Sequence, residues 1–350
     1  MKKLLLPLVL LAIVTISTLQ AQQQQIIALQ VGDEVSFFSN LDSAIIAAPA
    51  GAEIYLPPGT FAHNPTLLID KKINIYGVGH YIVSTYTMMR TVITGNICFV
   101  TGADSSVLAG VYCDNISLGN SSSNDGLANI LIQRCNIGTL SLGNNNSEPI
   151  SSSIFIMESV IRGAVNGYNA VNCIFSKCIF NSTVTTFSYL TVSNSIFLDY
   201  YYFGYYEQFC PIYSVSNSLI QSSIFHRSFP DGFRYVTNSA FYNNIFIYNI
   251  TAAQWGENAY SNNLVGISTS NIFVNHPSNS YTFSYNSDYH LKDISPGKNA
   301  GYDGTDIGIY GTNQPYKENA VPFTPRILQF MLTPEGNTIN LNTSVEAQQR

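Results

Sequence analysis

Charge is scarce in this chain. Asp, Glu, Lys and Arg supply 10% of its 350 residues, against about a quarter in ordinary soluble domains. The net charge is −6 and no cluster of Lys and Arg follows the first few residues. That makes nucleic acid and anionic membrane surfaces poor partner candidates, because both call for a basic patch. Long apolar runs are missing too. After residue 17 no stretch approaches the roughly 18 apolar residues of a membrane-spanning helix. Tryptophan occurs once. Six cysteines are present, but there is no CxxC, and Cys173 and Cys178 have the wrong spacing for a zinc knuckle. HxH, HExxH, Gly-x-Ser-x-Gly and Walker patterns are all absent, which removes the common zinc, serine-nucleophile and nucleotide chemistries. No metal and no cofactor is called for.

Scarce charge does not mean disorder here, since 46% of residues are hydrophobic and 13% aromatic. Residues 1–21 read as an export signal: Met1-Lys2-Lys3, an apolar stretch from Leu4 to Ser17, and Leu19-Gln20-Ala21 before a glutamine run. The mature chain is therefore expected outside the cytoplasm, secreted, at the cell surface or in the periplasm. Residues 22–39 form a lead-in. Asn40 is placed to cap a helix from Leu41 to Ala48, with Leu41, Ala44, Ile45 and Ala48 on one face. Such a helix suits the lid that the open end of a stacked fold requires.

The rest of the chain repeats. Val171-Asn172-Cys173-Ile174-Phe175 returns around Asn194, Asn217, Asn238 and Asn262, in steps of 22, 23, 21 and 24. Asn172 leads to Ile179-Phe180, Asn217 to Ile224-Phe225 and Asn238 to Ile245-Phe246, at one fixed offset. Short strands with alternating apolar and polar residues, punctuated by glycine, fill each unit. A period near 22 residues implies stacked coils with equivalent side chains in columns. The predicted fold is all-β: a right-handed, single-stranded parallel β-helix, or solenoid, over residues 40–311, with room for about eleven coils between 65 and 310 at that period. An extended tail over 312–350 follows. Cys173 is expected in line with Ser195, Ser218 and Ser239, and Cys135 in line with Ser159, so the cysteines read as small fillers with free thiols.

Asp42–Ala48 followed by Gly51–Phe61, then Lys71–Tyr81, and the closing segments Tyr289–Leu291, Ser295–Gly301 and Asp303–Gly308 carry a family resemblance. The chain resembles the pectate-lyase-like superfamily of right-handed β-helix proteins, and within it the secreted β-helix-repeat proteins of Bacteroidetes. The resemblance implies the fold and leaves activity open, because this fold hosts lyases, hydrolases and binding proteins. The family's enzymes carry paired carboxylates or clustered acids beside a basic residue. Only Gly79-His80 matches such a pattern here, and it lies early in the chain. The Asp303/Asp306 pair falls short of a calcium shell and reads as turn-capping.

One constellation suits a ligand. Asp199–Glu207, His226–Arg234 and Tyr248–Glu257 start at similar offsets in successive units, which would bring Tyr202, Tyr205, Glu207, Arg227, Phe229, Asp231, Phe233, Arg234 and Trp255 onto one flank. Flat rings with a few charges suit a sugar: its C–H faces stack on the aromatics and its hydroxyls meet the charges. The alternative is that these loops pack their aromatics on one another. The leading reading is a non-enzymatic binder of a carbohydrate or cell-surface polymer. The alternatives are a polysaccharide lyase or hydrolase with an unrecognised site, and a structural surface protein. The oligomeric state is not indicated.

Overall fold

The computed structural model describes residues 26–81, 90–120, 124–199, 202–203, 208–227, 233–317, 326–335 and 338–346. They form a parallel β-helix. One sheet has 12 strands and the other 13, and the ladders between coils are parallel and in register. The 12-stranded sheet shows the stacking most simply. Each of its short strands turns its middle residue inward, so Ile54, Ile75, Leu108, Ile132, Ile156, Phe175, Val192, Ile220 and Phe241 make one unbroken interior column. In the second sheet Phe180, Phe197, Phe225 and Phe246 stack at 4.7, 4.6 and 4.5 Å between ring centroids. That distance matches the roughly 4.8 Å rise between adjacent strands.

The first coil is closed as the sequence predicts. Asn40 accepts a hydrogen bond from the Ser43 amide at 3.0 Å, and the helix Leu41–Ala47 buries Leu41, Ala44 and Ile45. The lead-in is more ordered than expected. Ile27–Val31 and Glu34–Phe38 form an antiparallel hairpin turning at Gly32, and the hairpin extends the 12-stranded sheet past the helix.

Two corners of each coil lie five residues apart, and both hold a left-handed residue. One corner column is Ser153, Asn172, Tyr189, Asn217 and Asn238; the other is Arg134, Glu158, Lys177, Asn194, Ser222, Asn243 and Asn262, all at positive φ. This corrects the predicted register. Asn172, Asn217 and Asn238 share a column, but Asn194 and Asn262 belong to the other corner. The true coils here are 17, 28 and 21 residues long. The two corners look alike in sequence because both place a residue tolerant of left-handed backbone, often Asn, before a buried and often small one.

That small residue satisfies the corner's polar groups. Ser195 Oγ accepts from the Cys178 amide at 3.1 Å and donates to the Ser193 carbonyl at 2.8 Å. Ser223 and Asn244 continue the same ladder one coil at a time. Cys178 therefore aligns with Ser195, whereas Cys173 shares a column with Leu190, Ser218 and Ser239. Cys135 pairs with Ser159 as predicted. All six cysteines are buried free thiols.

The parallel rungs of the 12-stranded sheet end at Ala259–Ser261, short of the predicted coils to residue 310. Residues 267–317 instead return along the outside. Asn243 donates to the Ala300 carbonyl, the Gly308 amide to Ser222, and the Lys317 amide to Glu158, so residues 300–317 descend the corner column, while Phe283 and Tyr285 meet earlier coils at Asn181 and Asn136. The segment covers an outward row, Val160, Ile179, Ile196, Ile224 and Ile245, with Ile272, Phe273, Tyr289, Leu291, Ile307, Ile309 and Tyr316, making a second apolar core outside the coils. Asp303 and Asp306 serve turns within this segment, accepting from Thr305 and from the Asn299 amide. Residues Arg326–Glu335 and Thr338–Glu346 form an antiparallel hairpin.

Candidate functional site

The predicted aromatic flank is only partly open to description. Tyr202 lies in a two-residue strand paired with Gln208–Phe209. Its side chain, together with Tyr205, Glu207, Phe229 and Asp231, falls outside the described residues. Phe233 and Trp255 do come together, at 5.4 Å, but as packing. Trp255 is 3% exposed and its ring meets Phe241, Phe246 and Tyr260. The reason is physical. The last coils would leave Phe241 and Phe246 facing water, and the short helix Ala252–Trp255 lays the indole over them. Trp255 is the lid of the C-terminal end, the counterpart of the helix at the first coil, and its faces are not available to a sugar in this structure. Arg227 ion-pairs with Asp199 and lies 4.7 Å over the Tyr281 ring. Arg234 is half-buried.

A different group of side chains has the character of a site. On the second sheet the outward column runs Val92, Tyr112, Asn136, Val160 and onward to Ile245. The return segment covers the aliphatic part, and the column changes to polar residues toward the first coils. Arg90 and Arg162 both lie over the Tyr112 ring, at 3.9 and 4.3 Å to its centroid. Arg162 reaches there by donating at 2.8 Å to the Cys113 carbonyl, two coils away. On the intervening coil Gly138 packs closely against its neighbour, since a Cβ there would collide with the Asp114 carbonyl. Beside the arginines, Tyr285 of the return segment takes a 2.8 Å hydrogen bond from the Asn136 amide group and meets His80 Nδ1 at 3.2 Å.

The polar balance at this place is incomplete. Among the described residues neither Arg90 nor Arg162 has a carboxylate at ion-pair distance. His80 Nε2, Asn136 Oδ1 and Arg162 Nε are buried without a hydrogen-bond partner. Buried polar groups are ordinarily satisfied, and each orphan costs about 1–3 kcal/mol. Burial, reinforced by the neighbouring guanidiniums, pushes His80 down to about 3. The imidazole is therefore neutral, and burial raises the Tyr285 hydroxyl. Two half-buried cations with neutral donors beside them suit an anionic ligand. They are poorly matched to proton transfer, which favours a group titrating near the working pH. Among the described residues no three His, Cys, Asp or Glu side chains converge as metal ligands would.

No family model matches the chain, and neither does any curated protein. A solved structure is similar in shape. The crystal structure of pectate lyase Pel9A shares 14% sequence identity at a TM-score of 0.42, covering 77% of this chain and 90% of that one. The likeness is one of fold.

Sequence reading missed this site for a definite reason. Gly79-His80 was legible only as a motif fragment. Arg90, Tyr112, Asn136, Arg162 and Tyr285 are scattered over almost 200 residues and meet only through the coil register and the returning segment. The available signal was Tyr112 and Asn136 standing where later coils carry Val or Ile.

Proposed function

We propose that the protein is a secreted, non-enzymatic β-helix protein that binds an acidic carbohydrate or surface polymer, with Arg90 and Arg162 taking the anionic groups. The observation that carries this reading is the pair of guanidiniums over one tyrosine, with no carboxylate at ion-pair distance among the described residues. In a chain with only 15 basic residues and a net charge of −6, two such cations at one half-buried spot are a specific electrostatic feature rather than a general basic surface. Secretion rests on the signal-like residues 1–21. The Arg227 edge, with its neighbouring loops, is a proposed second contact for the same polymer.

The test is a glycan array probed with the mature protein, alongside Arg90→Ala and Arg162→Ala. Acidic glycans should be retained and neutral ones not. Charge-assisted hydrogen bonds are worth about 1.5–3 kcal/mol, so each variant should weaken retention by roughly ten- to a hundredfold with the far-ultraviolet circular dichroism unchanged. Equal retention of neutral and acidic glycans, or full retention by both variants, would refute the site. Release of unsaturated sugars by the wild-type protein would instead make it a lyase.

A further inference from the structure

The N-terminal hairpin leaves an open sheet edge. Ile27–Val31 pairs on one side with Ala52–Tyr55 and on the other with Glu34–Phe38. Glu34–Phe38 is the last strand of the 12-stranded sheet, with no strand beyond it among the described residues. The outer amides and carbonyls of such a strand are a template for another strand. Proteins commonly blunt an edge with lysine, proline, a bulge or extreme shortness. The strand at the other end of this sheet, Ala259–Ser261, has only three residues. Glu34–Phe38 has five, without lysine or proline, pairs without a bulge, and carries its one charge at the first position.

Its side chains are uncovered as well. Residues 34–37 are all exposed, Phe37 at 70% and Val35 at 49%. These two stand on one face, in register with Ala28 and Gln30, away from the buried Ile27 and Leu29. Ile46 of the helix Leu41–Ala47, 78% exposed, adds apolar surface at the same end.

The strand is complementary to itself. Turned about Ser36, an antiparallel copy sets Val35 opposite Phe37 twice, both pairs on one face, and Glu34 opposite Phe38. All five residues then pair, and the two Glu34 positions stand about 14 Å apart at roughly 3.4 Å per residue. A parallel copy in register would set Glu34 against Glu34, and like charges directly opposite are unfavourable. Centring on Val35 would set Phe37 against Asp33. We propose that the protein dimerises by antiparallel pairing of Glu34–Phe38 with the same strand of a second copy, which joins the two 12-stranded sheets edge to edge. The twofold pairing consumes both edges and therefore closes at two chains. It shares no residue with the arginine site.

The test is sedimentation of the mature protein at up to about 100 µM, because one shared edge buries little area and such pairs are weak. The wild type should sediment as a dimer. Val35→Lys with Phe37→Lys gives the strand the charge that natural edges carry and should sediment as a monomer, with hydrogen exchange of the interior strands unchanged. Ser36→Cys reads the register. All six native cysteines are buried, so under mild oxidation the new thiol should link the two copies at the twofold axis, where directly opposed residues lie within disulfide reach. Ser39→Cys, about 20 Å from its counterpart at roughly 3.4 Å per residue, should not. A monomeric wild type, an assembly larger than two chains, a dimer untouched by the two lysines, or equal cross-linking at both positions would overturn the proposal.

Discussion

Lowering the pH from 7 to 5 is expected to cost this fold about 4 kcal/mol through two buried imidazoles. His80 and His226 are both fully buried. Burial lowers His226 to about 4, with His276 adding to the effect, and neither of its ring nitrogens has a hydrogen-bond partner. His80 is lowered to about 3 by burial, then by Arg90 and Arg162. In the unfolded chain both rings take a proton near pH 6.5. The stabilisation is therefore fully present above that pH. It is lost as pH falls, at about 1.4 kcal/mol per unit per histidine, until each folded pKa is passed. Two rings over the interval from about 6.5 to 5 give the quoted loss. Burial lowers His276 in the same direction, so the loss is a floor. Urea unfolding of the mature protein at pH 7 and pH 5 measures it. His226→Phe keeps a ring of similar shape without titration and should remove about half of the pH dependence. Equal stability at the two pH values, or an unchanged slope in His226→Phe, would show that the imidazoles are not buried as described.

Other perturbations read out separate parts of the structure. Phe225→Ala opens a hole in the ring stack between Phe197 and Phe246 and should cost about 3–5 kcal/mol in urea unfolding; a loss under about 1 kcal/mol would mean the stack is not close-packed. Glu158→Gln removes the negative charge that pairs at 2.8 Å with Arg134, itself 2% exposed. It should cost about 3 kcal/mol and raise proteolytic cleavage near Lys317, whose amide also uses that carboxylate. Cys178→Ser places in the ladder the residue that Ser195 and Ser223 already supply. It should change stability by less than about 1 kcal/mol, whereas a larger loss would show that the thiol fills space a hydroxyl cannot.

The fold was legible because stacking constrains each coil in the same way. Left-handed corners favour Asn, the residue after them is buried and often small, and the interior row must be apolar. These local demands repeat along the chain and mark it as a parallel β-helix. Register was less legible, since two corners with the same demands lie five residues apart, and Tyr189 or Lys177 can occupy a corner where Asn is only the commoner choice. The second core was signalled by the Ile-Phe pairs at 179–180, 224–225 and 245–246. In a sheet with one wet face, two adjacent apolar residues cannot both be buried, so each pair implied a cover on the outside. The aromatic flank failed at Trp255 because composition cannot distinguish a ring offered to a ligand from a ring closing an open end. The arginine site depends on contacts between residues far apart in sequence, and no local pattern announces it.

The returning strap changes how such a molecule should come apart. A pile of coils held only by nearest neighbours can fray from either end, one layer at a time. Here Tyr285 clasps His80 and Asn136 in early layers, while residues 300 to 317 grip layers in the middle. Peeling away an outer layer therefore means breaking the buckle first. Under heat or tension the assembly is built to give way in one event rather than by unravelling.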